Sequence, residues 1–141
     1  MNGDRRGHGR SRERAREDPE AYYVFRVRFR LDAPAVETDP KTFETVVRYP
    51  AAEPGDEEGR WRFFEEWLWR GELTDARRFS AVMEGWLSVP VDRVMFSECV
   101  MSERYREAWN EAVAAELDRY NADSVREVRH NHLGSSVRVL G

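Results

Sequence analysis

The chain has 141 residues, the size of one domain, and at that length a self-sufficient apolar core is possible without disulfides or metals. Charged residues make up 35% of the chain, but the net charge is only −4, and the single cysteine, Cys99, excludes an internal disulfide framework and a cysteine-rich zinc site. No apolar run approaches the roughly 20 residues of a membrane helix, and the charged start lacks the apolar centre of a secretory signal. We therefore expect a soluble, cytoplasmic protein.

The basic residues are almost all arginines. Lys41 is the single lysine among 23 basic residues, and 27 acidic residues accompany them. Arginine is more weakly hydrated than lysine and holds carboxylates with a planar fork, which suits networks of ion pairs. Scarce lysine with abundant acid is expected of a high-salt cytoplasm, and a GC-rich genome alone would explain the arginines equally well.

Residues 1–20 differ in composition from the rest of the chain. Six arginines are interleaved with glycines there, and apart from Met1 and Pro19 no apolar side chain is larger than that of Ala15. Such a segment buries too little surface to offset its ordering entropy, so we expect a disordered tail followed by a single domain over residues 21–141. A basic tail can touch nucleic-acid phosphates weakly, and a solvated tail without any partner is the alternative.

Two alternating segments open the predicted domain. Residues 22–31 alternate an apolar face with one that becomes arginine-rich, which predicts a half-buried antiparallel strand. A second alternation over residues 43–49 ends at Pro50 and places Phe43, Thr45, Val47 and Tyr49 opposite Glu44, Val46 and Arg48. Between them we expect a loop in which Asp39-Pro40 can start one helical turn.

The aromatic segment at residues 61–70 fits two periods. Helical spacing relates Trp61, Phe64 and Leu68, but strand parity also fits its tryptophans; we favour a short helix that stops at Gly71. Thr74 or Asp75 then caps a second helix. Its core-facing stripe is predicted from helical spacing as Phe79, Val82, Met83, Trp86 and Leu87.

The last third of the sequence predicts a strand, two helices and a final strand. Residues 91–101 form the strand, with Val94, Phe96 and Val100 on one face; Ser102 caps the longest helix. Ser124 and Glu127 form a capping box for a further helix, and Gly134-Ser135-Ser136 turns into the strand at 137–139. The resulting β-β-α-α-β-α-α-β order predicts an α+β fold. Its sheet has about four antiparallel or mixed strands covered by helices, and a ferredoxin-like arrangement is the candidate topology.

Three segments give the chain a resemblance to a known family. They are Trp67-Leu68-Trp69-Arg70-Gly71-Glu72-Leu73, Phe43-Glu44-Thr45 and the ending Leu133-Gly134-Ser135-Ser136-Val137-Arg138-Val139. The chain resembles the haloarchaeal LWR-salt proteins, whose name matches the Leu-Trp-Arg triplet at residues 68–70. The likeness runs from about residue 22 to residue 139. It implies a high-salt archaeal origin and carries over no catalytic or binding residues.

The sequence contains no complete catalytic or metal motif. Cys99 lies in an apolar strand, where a thiol is usually a packing group. His130 and His132 diverge on a helix and have no third ligand nearby. The serines at 135 and 136 lack the surroundings of a nucleophile elbow, and the glycines form no phosphate loop. We therefore expect neither a cofactor nor a metal, and we favour a non-enzymatic protein over an enzyme.

The block from Trp67 to Glu72 is the strongest candidate site. Trp69 and Arg70 can form a recognition patch, since both residue types are enriched in interface hot spots. Alternatively they line a ligand or enzyme pocket with Glu72, or they are structural, with Arg70 bridging to Glu66 or Glu72. The candidate binding residues are Trp69, Arg70, Glu72, Ser135 and Ser136.

Three functions remain open from the sequence. The first is a non-enzymatic interaction module that self-associates or docks a protein through exposed aromatics and a sheet edge. The second is a small enzyme or ligand-binding protein with a Trp/Arg/Glu pocket. The third, nucleic-acid binding, needs a continuous basic face on the folded part; the acidic excess after residue 20 argues against it.

Overall fold

The structure is a computed structural model that describes residues 19–31 and 41–140. The tail predicted at residues 1–20 lies outside the described residues as far as residue 18, and so does the turn predicted at Asp39-Pro40. Glu20 is described and contacts the domain: its carboxylate accepts hydrogen bonds from the Ser102 hydroxyl and the Arg104 guanidinium.

The described elements follow the predicted order, with a small hairpin added. The strands are β1 (Ala21–Leu31), β2 (Lys41–Pro50), β3 (Leu68–Trp69), β4 (Glu72–Leu73), β5 (Val91–Ser102) and β6 (Val137–Leu140). The helices are α1 (Phe63–Trp67), α2 (Ala76–Leu87), α3 (Glu103–Ala114) and α4 (Val125–Leu133). Short 3-10 turns precede α1 at Arg60–Arg62 and follow α3 at Leu117–Tyr120.

Four of the strands form one mixed sheet in the order β2-β1-β5-β6. β1 is antiparallel to both neighbours, and the last pair, β5 and β6, is parallel. The α+β class and the sheet of about four strands are therefore confirmed. The ferredoxin-like topology does not apply, because β1 and β2 pair directly, whereas that fold requires a helix between its first two strands.

The core lies on one side of this sheet. Tyr23, Phe25 and Val27 point from β1 towards the helices, as the alternation predicts. They pack against buried side chains from the α1 region and from the other three helices: Trp61, Phe64, Phe79, Met83, Trp109, Val113, Val128 and Leu133. Burying a large apolar side chain contributes roughly 1.5–3 kcal/mol, so this layer dominates the stability of the fold.

Strand β5 departs from simple alternation. Val24 lies opposite Glu98 while Phe25 lies opposite Phe96, so Ser97 is an extra residue in β5. Such a bulge shifts the side-chain parity by one. Val100 therefore pairs with Tyr22 on the outer face of the sheet, and the prediction that it shares a face with Val94 and Phe96 is wrong.

Helix α2 buries only part of its predicted stripe. Asp75, one of the two predicted candidates, is its N-cap and accepts a hydrogen bond from the amide of Arg78. Phe79 and Met83 are buried, but Val82 is 42% exposed and Trp86 is 50% exposed. The prediction that all five stripe residues face the core is wrong for these two, whose side chains are about half exposed to solvent.

The later helix caps follow the sequence closely. The Ser102 hydroxyl accepts from the amide of Tyr105 at the start of α3, and the Ser124 hydroxyl accepts from the amide of Glu127 at the start of α4. The predicted final turn and strand are also confirmed, with Gly134 ending α4 and β6 beginning at Val137. Within the described residues, no helix is long and apolar enough to cross a membrane.

Candidate functional site

The Leu-Trp-Arg triplet forms the first strand and turn of a two-stranded hairpin. Leu68 pairs with Leu73, and Trp69 pairs with Glu72. The two turn residues both have positive φ, 54° at Arg70 and 80° at Gly71, as in the type I′ turns that suit two-residue hairpins. The helix predicted over residues 61–70 is therefore wrong after Trp67. The chain extends at Leu68, so that this side chain is fully buried in the core.

This hairpin turn is held against the C-terminal end of α4. The amides of Arg70 and Gly71 donate hydrogen bonds to the carbonyls of Asn131 and His132. The last carbonyls of a helix have no partner within the helix, so the turn caps α4. The His132 ring adds a third contact, with Nδ1 2.9 Å from the Leu68 carbonyl, where Nδ1–H donates.

Glycine is required on both sides of this contact. A Cβ on Gly71 would lie 3.2 Å from the Leu133 carbonyl oxygen. A Cβ on Gly134 would lie 3.2 Å from both the carbonyl carbon and the oxygen of Arg70. The two backbones therefore touch directly, which explains why two blocks some sixty residues apart both contain a glycine at this place.

The predicted site residues meet at this junction. Trp69, Arg70 and Glu72 belong to the hairpin, and Ser135 and Ser136 follow Gly134; the Ser136 hydroxyl lies 3.6 Å from the Cβ position of Gly71. Trp69 is 46% exposed and meets the His132 ring edge-on at 5.3 Å. The backbone of the block is structural, and its recognition role stays a prediction.

Neither of the ion pairs predicted for Arg70, with Glu66 or with Glu72, forms. Glu66 instead accepts from Arg78 at 2.6 Å, and the Arg78 guanidinium lies 4.1 Å from the centre of the Trp67 ring. The pairing of Arg70 with Glu66 required a continuous helix, which ends at Trp67. Arg70 lies over the ring of its neighbour Trp69 instead, 5.8 Å from the ring centre.

The groove that Glu72 borders does not include the other two residues of the predicted Trp/Arg/Glu pocket. Glu72 and Gly71 border an open groove of about 800 Å³ between α2 and β5, and Trp69 and Arg70 do not line it. A second groove of about 810 Å³ runs beside α1 and carries both signs of charge, including Asp56, Glu65, Arg60 and Arg119. Neither groove places a serine or cysteine nucleophile beside a histidine base.

The other titratable candidates are one buried thiol and two histidines of α4. Burial raises the pKa of the Cys99 thiol to about 12, so this thiol stays protonated and unreactive at neutral pH. His130 is exposed, and His132 is bonded to the hairpin. The part of the chain that the structure describes holds no group of three or more His, Cys, Asp or Glu side chains placed to bind a metal ion.

The sequence suggested docking at a sheet edge but did not indicate which strand forms that edge. Among the described strands, β2 pairs only with β1, so its other edge is open. Phe43 and Val46 on β2 are 43% and 54% exposed. On the helix side, Trp86 packs edge-on against Tyr49 of β2, with ring centres 5.2 Å apart, and Val82 lies one turn earlier in α2. We call Phe43, Val46, Tyr49, Val82 and Trp86 the β2 edge surface.

Two sequence signals of this surface were available. Val46 is apolar on a β2 face that otherwise carries Thr42, Glu44 and Arg48. The apolar stripe of α2 includes Val82 and Trp86 in addition to Phe79, Met83 and Leu87. Neither signal identifies an edge alone, because the sequence does not reveal which strand ends the sheet.

The comparisons with known proteins identify a family without adding a function. The model of the LWR-salt protein family matches residues 19–141, which is most of the chain. The chain belongs to this family, and the resemblance drawn from residues 68–70 and the C-terminal block is confirmed. Searches of the curated proteins and of the solved structures find no match.

Proposed function

We propose that this LWR-salt protein is a non-enzymatic interaction module whose protein partner docks at the β2 edge surface by adding a strand. The observation that carries the proposal is a ten-residue strand whose outer edge no described strand covers, flanked by half-exposed Phe43 and Val46. Open edges offer a row of unpaired amides and carbonyls, and an added strand satisfies them.

The β2 edge surface has the composition of a docking site. Proteins usually protect an exposed edge with a lysine, a proline or an inward charge. Lys41 and Pro50 lie at the two ends of β2; between them the strand contains neither residue type, and Val46 lies at its middle. Phe43 on β2 and Trp86 on α2 add aromatic area, the type of side chain that dominates interface energetics.

A photo-activated cross-linking amino acid at Phe43 tests the proposal in cell extract at native salt. We expect an adduct of defined mass from position 43, lost when Val46 is also changed to Lys. The matched control is Met95, which is exposed to a similar extent on the outer face of the central strand β5. Mass spectrometry of the adduct identifies the captured protein and the cross-linked peptide.

Two results would reject the docking surface. The first is an adduct from position 95 that is as abundant as the one from position 43. The second is an adduct from position 43 that survives Val46→Lys, since a charge at the middle of the edge blocks strand addition. Circular dichroism of the Lys variant shows whether it is folded.

One observation favours a second candidate, binding of an anionic polymer such as single-stranded RNA. The outer face of the sheet gathers arginines, and Arg28 lies directly opposite Arg93 in the register of β1 with β5. Like charges placed opposite each other destabilise a sheet unless a counter-charge is near. Arg28 has Glu44 at 3.0 Å, but Arg26 and Arg93 have no carboxylate of a described residue within 4 Å.

Titration with a poly-uridine oligonucleotide tests this candidate. Binding through phosphates should weaken steeply as the salt concentration rises. The double variant Arg26→Gln, Arg93→Gln should lower the slope of log affinity against log salt concentration by the equivalent of about one to two phosphate contacts. Arg104→Gln is the control, because Arg104 is fully used by Glu20 and Glu53. Affinity that is equal in both variants would exclude the arginine face.

A further inference from the structure

We infer that the partner at the β2 edge surface is a second copy of this chain, with β2 pairing antiparallel to β2 about a two-fold axis at Val46. This inference rests on the proposed function and names its partner. The open edge permits the pairing, and the charges along β2 and the aromatic side chains around it favour the same register.

The charge pattern of β2 is self-complementary in this register only. A two-fold axis at Val46 places Glu44 of each copy opposite Arg48 of the other, and Val46 opposite itself. Opposite charges facing each other across an antiparallel pair stabilise it. Moving the axis to Thr45 places Glu44 opposite Val46 and Arg48 opposite Thr42, and moving it to Val47 places Arg48 opposite Val46. Both alternatives lose the two ion pairs.

The outer face leaves both charged groups available for this pairing. Glu44 is held 3.0 Å from Arg28 of the same sheet, so it is already oriented along that face and keeps further acceptor capacity. The Arg48 guanidinium lies over the Tyr22 ring, 5.5 Å from its centre, and has no carboxylate of a described residue within 4 Å. A carboxylate from the second copy completes its contacts.

The helix-side face is complementary in the same register. Phe43 of one copy lies opposite Tyr49 of the other, where aromatic cross-strand pairs are favourable. Within each copy Phe43 stacks on Phe29, with ring centres 5.7 Å apart, and Tyr49 meets Trp86 at 5.2 Å. The pairing therefore joins these contacts into a run of rings across each end of the interface and covers the exposed parts of Phe43 and Trp86.

The overlap uses almost the whole strand. Centring on Val46 pairs residues 42–50 of the two copies, nine of the ten residues of β2. Because the axis is perpendicular to the sheet, the result is a continuous eight-stranded sheet with all helices on one side. The main-chain bonds and apolar contacts are little screened by salt, so the dimer persists in a high-salt cytoplasm, and the ion pairs mainly fix the register.

Two charge-reversed variants test the register by mixing. Glu44→Arg gives a strand with two arginines, and Arg48→Glu gives a strand with two glutamates. We expect each alone to self-associate about tenfold more weakly than wild type, and their equimolar mixture to form a heterodimer as stable as the wild-type dimer. Native mass spectrometry, at the lowest salt that keeps the chains folded, separates the three species because their masses differ. Glu103→Arg, on the exposed side of α3, is the control and stays dimeric.

Cysteine trapping gives a second measurement. Val46→Cys places two thiols directly opposite each other, within the Cα separation that a disulfide needs, whereas Thr45→Cys offsets them by two residues. Cys99 is buried and contributes no exposed thiol. We expect rapid oxidation to a covalent dimer for Val46→Cys and a rate at least tenfold lower for Thr45→Cys.

The outcomes separate the two claims. The dimer is overturned if the wild-type chain is monomeric at a concentration on the order of 100 micromolar while position 43 cross-links a different protein. That result leaves the proposed docking edge intact. A dimer in which Thr45→Cys oxidises faster than Val46→Cys, or in which the charge variants fail to form a heterodimer, overturns the register. A monomer with no adduct from position 43 overturns both.

Discussion

Replacing Gly134 by alanine perturbs the junction between the hairpin and α4 most directly. Gly134 has φ 62° and ψ −141°, a conformation that only glycine adopts readily, and its added Cβ would lie 3.2 Å from the Arg70 carbonyl group. Backbone strain of this kind costs about 1–3 kcal/mol. The displaced turn would also lose two capping hydrogen bonds, each worth about 0.5–1.5 kcal/mol. We therefore expect the free energy of unfolding to fall by about 2–6 kcal/mol.

Two other glycines supply matched controls. Gly55 also has a positive φ, 84°, but apart from its chain neighbours no atom of the described residues lies within 4 Å of the position of an added Cβ, so Gly55→Ala should cost only about 1–2 kcal/mol. Gly85 lies inside α2, and no described atom outside its own helical turn lies within 4 Å of an added Cβ, so Gly85→Ala should gain about 0.5–1 kcal/mol. Urea unfolding at constant KCl, followed by tryptophan fluorescence, measures all three. A cost for Gly134→Ala no larger than that for Gly55→Ala would refute the close hairpin–helix contact.

Four further predictions concern Leu68, Arg70, the Glu98–Arg138 pair and the response of the fold to salt. Leu68→Ala should cost about 2–5 kcal/mol in denaturant unfolding, because this side chain is fully buried; a cost below about 1 kcal/mol contradicts the hairpin geometry. Arg70→Asn should raise the free energy of unfolding by up to about 1 kcal/mol, since asparagine is favoured at this turn position, and a loss would show that the guanidinium is structural. The hydrogen bond from Arg138 lowers the pKa of Glu98 from 4.5, so the stability that this pair contributes above pH 4.5 is lost as the pH falls through the lowered pKa. Arg138→Gln should therefore make the melting temperature less dependent on pH in this range. An unchanged slope of melting temperature against pH would contradict this. The melting temperature should rise with KCl across the molar range, because salt screens the acidic excess and strengthens apolar burial; a flat or falling trend leaves GC bias as the explanation of the arginines.

Local patterns predicted the main elements of the fold. The alternation around Phe25 and Val27 identified β1, and Asp75, Ser102 and Ser124 located three helix starts. These signals depend on a residue and its near neighbours, where period and capping chemistry act. The hairpin was mistaken for helix because its turn depends on contacts with α4, some sixty residues later in the chain.

The candidate site was predicted only in part. The sequence singled out Trp69, Arg70 and Glu72, and separately Ser135 and Ser136, and the structure brings both groups to one junction. Their convergence depends on backbone hydrogen bonds that no side-chain pattern encodes. The β2 edge surface was not located, because the exposure of Val46 and Trp86 depends on β2 lying at the edge of the sheet.

Hydrogen exchange of the β2 amides, resolved residue by residue by NMR and repeated over a range of protein concentrations, tests the docking edge most directly. Alternate amides of β2 bond to β1, and the others point away from the sheet. We predict that the outward amides between Thr42 and Tyr49 become protected as concentration rises, while amides of the opposite edge strand β6 do not change. Outward β2 amides that exchange at the same rate at every concentration, or protection confined to β6, would contradict pairing through β2.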